Sequence, residues 1–236
     1  MIINRRRRSH DGRIVIVTGG FGTLGRAVSD AFTAAGDKVA RVDFVPTAKE
    51  EGKSALDIGG VDIADPATAE SVVKQVTDKL GAPSVLVNIA GGFVWEPLHG
   101  GGAPTWERMF RMNALTAASM AKAAVPALTG QASIINIGAN AAHKAAAGMG
   151  GYTASKAAVH KLTESLAEEL KGKDITVNAV LPSIIDTPVN RADMPDADPG
   201  EWIRPEALAE VILFLASPAA RTITGALIPV TRGDAH

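Results

Sequence analysis

A chain of 236 residues, 46% hydrophobic and 21% charged, is long enough to bury a sizeable core and falls in the size range of one α/β domain. Its formal charge of −1 gives no global attraction to nucleic acid or to an anionic membrane, so neither is expected as a partner. It has no cysteine, hence no disulfide framework and no thiolate chemistry, and no apolar run approaches the ~20 residues of a membrane span; a cytoplasmic protein is expected.

In chain order, residues 1–12 carry Arg5 to Arg8 among polar neighbours and read as a flexible basic arm. A single domain is expected over 13–236. Ile14–Thr18 (IVIVT) reads as a strand, followed by a glycine cluster, a helix from Leu24 to Ala35, and a second strand at Lys38–Asp43. The alternation continues with a helix over Ala67–Leu80, a strand at Val85–Val87, a long helix over Trp106–Leu128 and a strand at Ser133–Ile137. A helix over Tyr152–Leu170, a strand at Thr176–Leu181, a helix over Pro205–Ala216 and a last strand at Ala226–Val230, weakened by Pro229, complete the series. Short apolar strands alternating with helices predict a doubly wound parallel sheet of the Rossmann type, covered on both faces.

The loop TGGFGTLG follows the first strand and opens the first helix. Glycines there permit a tight turn and close backbone approach to a pyrophosphate, whose charge meets the N–H groups at the helix start. Asp43, 18 residues beyond Gly25 at the end of the second strand, is placed to accept hydrogen bonds from ribose hydroxyls and to repel a 2′-phosphate. NAD(H) is therefore favoured, with NADP(H) kept as the alternative because Arg41 lies two positions earlier.

These segments resemble the short-chain dehydrogenase/reductase family over roughly residues 13–233. The resemblance implies cofactor contacts from Gly19, Phe21, Gly22, Thr23, Leu24 and Gly25 of the loop, although Thr23 stands where typical members have Gly or Ala. VDIAD resembles the segment whose Asp62 and Ile63 meet the adenine, and NIAGG is similar to the motif that brings Asn88, Ala90 and Gly91 behind the cofactor. LPSIIDTP resembles the stretch along the nicotinamide, implying contacts from Pro182, Ile185 and Thr187. YTASK matches the family's Tyr-x-x-x-Lys, and Asn113 matches the helix asparagine that links the lysine to water. A dimer or tetramer built partly from the helices carrying Asn113 and Tyr152 is also implied.

Tyr152 is the only tyrosine in the chain, and Lys156 lies one helical turn beyond it, so both project from one face. Reducing a carbonyl or an imine needs a hydride and a proton; a phenol with pKa ~10 donates that proton readily only if a neighbouring ammonium lowers its pKa. By resemblance the lysine also binds the nicotinamide ribose.

The family's serine, 13 residues before the tyrosine, is replaced by Ala139, flanked by Gly138 and Asn140. Losing a donor to a developing oxyanion can cost ~3 kcal/mol, so an ordinary ketone would be poorly served. Quinonoid dihydropteridine reductases resemble this chain in having alanine there, and in GMGGYTASKAAVHKL and DTPVNRADMPDAD followed by Trp202. The second segment falls in a lid expected over about 186–204, from which Met194 or Trp202 would meet a flat ring; Trp95 is a further candidate beside Ala139. The expected activity is hydride transfer to a conjugated imine or carbonyl, with a quinonoid dihydropterin as a candidate substrate. Reduction of ketones or 3-oxoacyl thioesters, and nucleotide sensing on the same fold, are the alternatives. His99, His143 and His160 have no metal-ligand spacing and read as solvated or helix-surface residues; no metal is expected.

Overall fold

The computed structural model describes residues 12–46 and 54–231; the Arg5–Arg8 run and the expected arm over 1–12, apart from Gly12, lie outside the described residues. β-branched and aliphatic runs form the strands β1 (Ile14–Thr18), β2 (Lys38–Val42), β3 (Leu56–Ile58), β4 (Val85–Asn88), β5 (Ala132–Ile137), β6 (Ile175–Pro182) and β7 (Leu227–Val230). They pair in parallel in the order β3-β2-β1-β4-β5-β6-β7, a seven-stranded sheet among the described residues.

Alternate side chains of each strand feed two cores. On one face Val15, Val17 and Val87 pack with Val28 and Phe32 of helix α1 (Thr23–Ala34) and with Leu208 and Ile212 of helix α7 (Pro205–Leu215). On the other, Ile16, Leu86 and Ile134 meet Val72 and Val76 of helix α2 (Pro66–Leu80), and Met120 of helix α4 (Thr116–Ala124). Helix α5 (Gly150–Glu169) adds Ala167 to the same side. Burial of a side chain such as Phe32 or Ile16 contributes about 1.5–3 kcal/mol. Two shorter helices, α3 (Ala103–Met109) and α6 (Pro188–Asp193), lie outside these cores.

The sequence expectation differs from the structure at two elements. The single helix expected over Trp106–Leu128 is divided: α3 runs into a π-helical segment, Phe110–Leu115, before α4, and a 3-10 turn with Pro126 closes it. β3 was not anticipated, because Leu56–Ile58 is only three residues long and carries Asp57 at its centre. Pro229 is accommodated because β7 forms an edge of the sheet and needs no donor on its outer side.

The lid expected over 186–204 is a loop containing α6 and closed at its base by two backbone bonds. Ile203 N–H donates to Ile184 O at 2.8 Å, and Asp186 N–H donates to Ile203 O at 2.8 Å. Among the described residues no helix is long and apolar enough to cross a membrane, and no group of three or more His, Asp or Glu side chains could hold a metal ion.

Candidate active site

The strand order reverses between β1 and β4, and a crevice outside the carboxyl ends of the strands opens at that switch point. The glycine loop forms one wall. Gly19 turns the chain at φ +65, Gly22 N–H donates to Gly19 O at 3.2 Å, and a Cβ on Gly25 would run into Gly19 O. Gly22 occupies the N-cap of α1 without a capping side chain, so orphan N–H groups of the first turn remain for a ligand. The cleft measures about 860 Å³, and Gly19, Phe21, Gly22, Thr23, Leu24, Gly25, Asp43, Asp62, Ile63, Ala90, Gly91 and Thr187 all lie on it. Its size, the uncapped helix and a carboxylate at its edge fit a dinucleotide.

Asp43 is fixed before any ligand arrives: Phe21 N–H and Val45 N–H donate to its two oxygens at 2.9 and 3.1 Å. Asp62 accepts from Ala64 N–H at 3.1 Å and pairs with Arg111 at 2.6 Å. Arg111, also on the cleft, was missed because nothing in its sequence neighbourhood links it to Asp62. Asn88 is buried, its amide donates to Asn136 Oδ1 at 2.9 Å, and its neighbours Ile89, Ala90 and Gly91 form the wall. Pro182 is buried at the end of β6, and Ile185 packs on the core and bridges Ile203. Thr187 lines it while its hydroxyl caps α6, accepting from Asn190 N–H at 3.2 Å.

Beside this cleft α5 presents Tyr152 and Lys156. Lys156 is buried, and its Nζ donates to Ile137 O at 2.8 Å at the end of β5. Burial pushes the ammonium down to about 8 and the Tyr152 phenol up to about 12. Desolvation of the phenolate raises the phenol, and the Lys156 hydrogen bond goes to the Ile137 carbonyl. Asn113 sits in the π-helical segment, where its side chain accepts from Gly92 N–H at 2.9 Å and donates to Gly92 O at 3.1 Å and Ser155 Oγ at 2.9 Å. These bonds lock the Gly91–Gly92 wall against α5, and a Cβ on Gly91 would lie 3.6 Å from Lys156 Nζ. Asn113, Ser155 of α5 and the cleft wall thus form one connected unit.

Ala139 is only 3% exposed, and no hydroxyl replaces the absent serine there. Behind it stands His160, whose Nε2 accepts from Ala139 N–H at 3.4 Å. Burial, reinforced by His143 and Lys156, holds this imidazole below its ordinary pKa, and it is neutral at pH 7. His160 is thus buried rather than on the helix surface as expected; it lies two turns beyond Tyr152, and only the fold shows that Gly138, just after β5, stands against it. His143 is exposed.

The mouth of the site is aromatic. Phe93, which the sequence did not single out, stands edge-on to the Tyr152 ring with centroids 5.0 Å apart. Trp95 is 59% exposed, and its Nε1 donates to Ala147 O at 3.0 Å. Met194 is half-buried in the lid. Trp202 corrects the expectation of a substrate platform: at 4% exposure its ring is inside the protein and offers no surface to a ligand.

A family model described as enoyl-(acyl carrier protein) reductase matches residues 21–234. The chain belongs to the short-chain dehydrogenase/reductase family. It is 30% identical to the 3-oxoacyl-[acyl-carrier-protein] reductase FabG of Salmonella typhimurium, covering 95% of this chain and 98% of that one. It is also 30% identical to the 2,5-dichloro-2,5-cyclohexadiene-1,4-diol dehydrogenase LinX of Sphingobium indicum, over 94% and 96%. Among solved structures, a short-chain dehydrogenase/reductase described as glucose/ribitol dehydrogenase from Brucella melitensis superposes with a TM-score of 0.86 at 28% identity, over 95% of this chain and 97% of that one. A blue fluorescent protein from a metagenomic library, in complex with NADPH, gives 0.85 at 30% identity over 95% and 98%. The protein is an NAD(P)-dependent oxidoreductase of this family acting on a small molecule.

Proposed function

We propose that this short-chain reductase uses NADH to reduce a flat conjugated imine, with a quinonoid dihydropterin as the substrate. The observation that carries the reading is Ala139: the position 13 residues before Tyr152, where the resemblance places a second hydroxyl, is apolar and buried. A quinonoid acceptor reduced across its conjugated imine system takes both the hydride and the proton on ring nitrogens and develops no alkoxide, so one acid suffices.

A bound nicotinamide supplies the hydride. Tyr152 delivers the proton to the substrate nitrogen, and Lys156 stabilises the phenolate left behind while holding the ribose hydroxyls. Asn113 is a positioning residue, fixing the Gly91–Gly92 wall. Phe93 and Trp95 give a planar ring an apolar bed, and the lid excludes water over it. Asp43 sets the preference for NADH, because a ribose hydroxyl can donate to its carboxylate whereas a 2′-phosphate is repelled. A homo-oligomer belongs to the same reading, since Trp106, Phe110 and Leu115 leave apolar surface along the helix from α3 to α4.

Similarity to FabG favours a second reading, reduction of 3-oxoacyl thioesters. The two separate in one experiment: NADH oxidation with quinonoid dihydropterin, acetoacetyl thioester and a simple ketone, in wild type and Ala139→Ser. The pterin reading expects turnover of the dihydropterin by wild type. It also expects about tenfold or more gain on the ketone in Ala139→Ser, within the range of one restored oxyanion donor. Turnover of the thioester alone by wild type overturns it.

A further inference from the structure

Arg41 and Asp57 are directly opposed across the parallel pair β2–β3. Their contact is bidentate: Arg41 Nε donates to Asp57 Oδ1 at 2.8 Å and Nη2 to Oδ2 at 2.6 Å. Ser54 Oγ adds a hydrogen bond to Oδ1 at 2.7 Å. The guanidinium holds the Asp57 carboxyl below the ordinary carboxylate range, so both partners are charged at neutral pH. The pair is mostly buried, with 10% of the Arg41 side chain and 18% of the Asp57 side chain exposed.

Both residues line the cofactor cleft. The glycine loop is built against the arginine: a Cβ on Gly20 would lie 2.6 Å from Arg41 Cβ, and the guanidinium carbon sits 5.4 Å from the centre of the Phe21 ring. Asp43 follows Arg41 by two residues, and its N–H donates to Ile58 O at 3.0 Å, so strand geometry continues and the two side chains share a face. A cation designed for phosphate recognition thus stands next to the carboxylate that meets the adenosine ribose. The Asp57 carboxylate offsets the charge of this guanidinium, which alone would counter the repulsion that Asp43 exerts on a 2′-phosphate.

We propose that Asp57 is a cofactor-selectivity residue: by pairing with Nε and Nη2 of Arg41 across the sheet, it offsets the guanidinium charge that would attract a 2′-phosphate and preserves selection of NADH over NADPH. The inference rests on the reading of the cleft as an NADH site. It assigns part of that selectivity to a strand outside the glycine loop and outside the end of β2.

The test is equilibrium binding of NADH and NADPH, each titrated by its own fluorescence, to wild type, Asp57→Ala, Asp57→Asn and the double variant Arg41→Met/Asp57→Ala. Asp57→Asn keeps the side-chain shape, and thermal melting reports whether each variant is folded. The expected result is tighter NADH than NADPH binding by wild type and about a tenfold gain in NADPH affinity in Asp57→Ala, the size of one charge-assisted hydrogen bond. Asp57→Asn should gain in the same direction, NADH affinity should stay within about threefold, and the gain should vanish in the double variant. An unchanged NADPH affinity in both single variants, with wild type still selecting NADH, overturns the inference and leaves the NADH reading standing. A gain that persists without Arg41 also overturns it, since removal of negative charge alone would explain the effect. Wild type that binds NADPH more tightly than NADH overturns the NADH reading itself, and the inference with it.

Discussion

Tyr152 and Lys156 were legible in the sequence because four-residue spacing on a helix is a local property. Their protonation was not, because it follows from what buries them. With the ammonium pushed down to about 8 and the phenol up to about 12, Lys156 is the group that titrates in the accessible range. In the proposed mechanism the protonated lysine is the active form. Raising the pH through about 8 removes its charge while the phenol keeps its proton, so kcat/KM for NADH in the reductive direction should fall about tenfold per unit above that point. Lys156→Arg, charged at every accessible pH, should abolish that limb even where its rate is low. A wild-type profile that stays flat to about pH 10 contradicts the assignment. Ala139 was equally legible, by counting from Tyr152, whereas His160 and Phe93 were not. Each meets the site across a sequence separation that no spacing rule encodes: His160 reaches Ala139 from two turns along α5, and Phe93 reaches Tyr152 from the loop after β4.

At the scale of elements, the strand–loop–helix pattern around TGGFGTLG was readable because each part carries its own signal: a β-branched run, glycines, then an amphipathic helix. β3 was not, since three residues with a central aspartate give no periodicity; its register becomes visible only when Arg41 and Asp57 are seen to pair. The long helix before β5 was placed correctly but not its interruption. The π-helical segment Phe110–Leu115 carries Asn113, whose side chain satisfies both backbone groups of Gly92 from a buried position. π-bulges often occur at functional sites because they re-aim one residue without ending the helix. Asn113→Ala should therefore leave the Gly92 peptide without these partners and destabilise the fold by about 1–3 kcal/mol, measured by denaturant unfolding. An unfolding free energy equal to that of wild type would show that water replaces the amide fully and that Asn113 does not hold the wall.

Over the whole molecule, alternation of strands and helices was enough to predict a doubly wound sheet, and the switch point between β1 and β4 then locates the cleft. Substrate choice is a different matter. In the proposed reading it is made by side chains from the loop after β4, the turn after β5 and the lid after β6, which no sequence spacing links. Relatives on the same scaffold carry names as different as a thioester reductase and a chlorinated diol dehydrogenase. Trp202 illustrates the limit: its place in the lid was readable, its burial was not.

The account stands or falls on Tyr152 as the acid for a conjugated imine, and the most direct measurement is NADH oxidation with quinonoid dihydropterin by wild type and Tyr152→Phe. Phenylalanine keeps the ring against Phe93 and removes only the proton donor, so kcat should drop by about 10²-fold or more with NADH affinity nearly unchanged. Equal turnover by the two proteins would contradict the account.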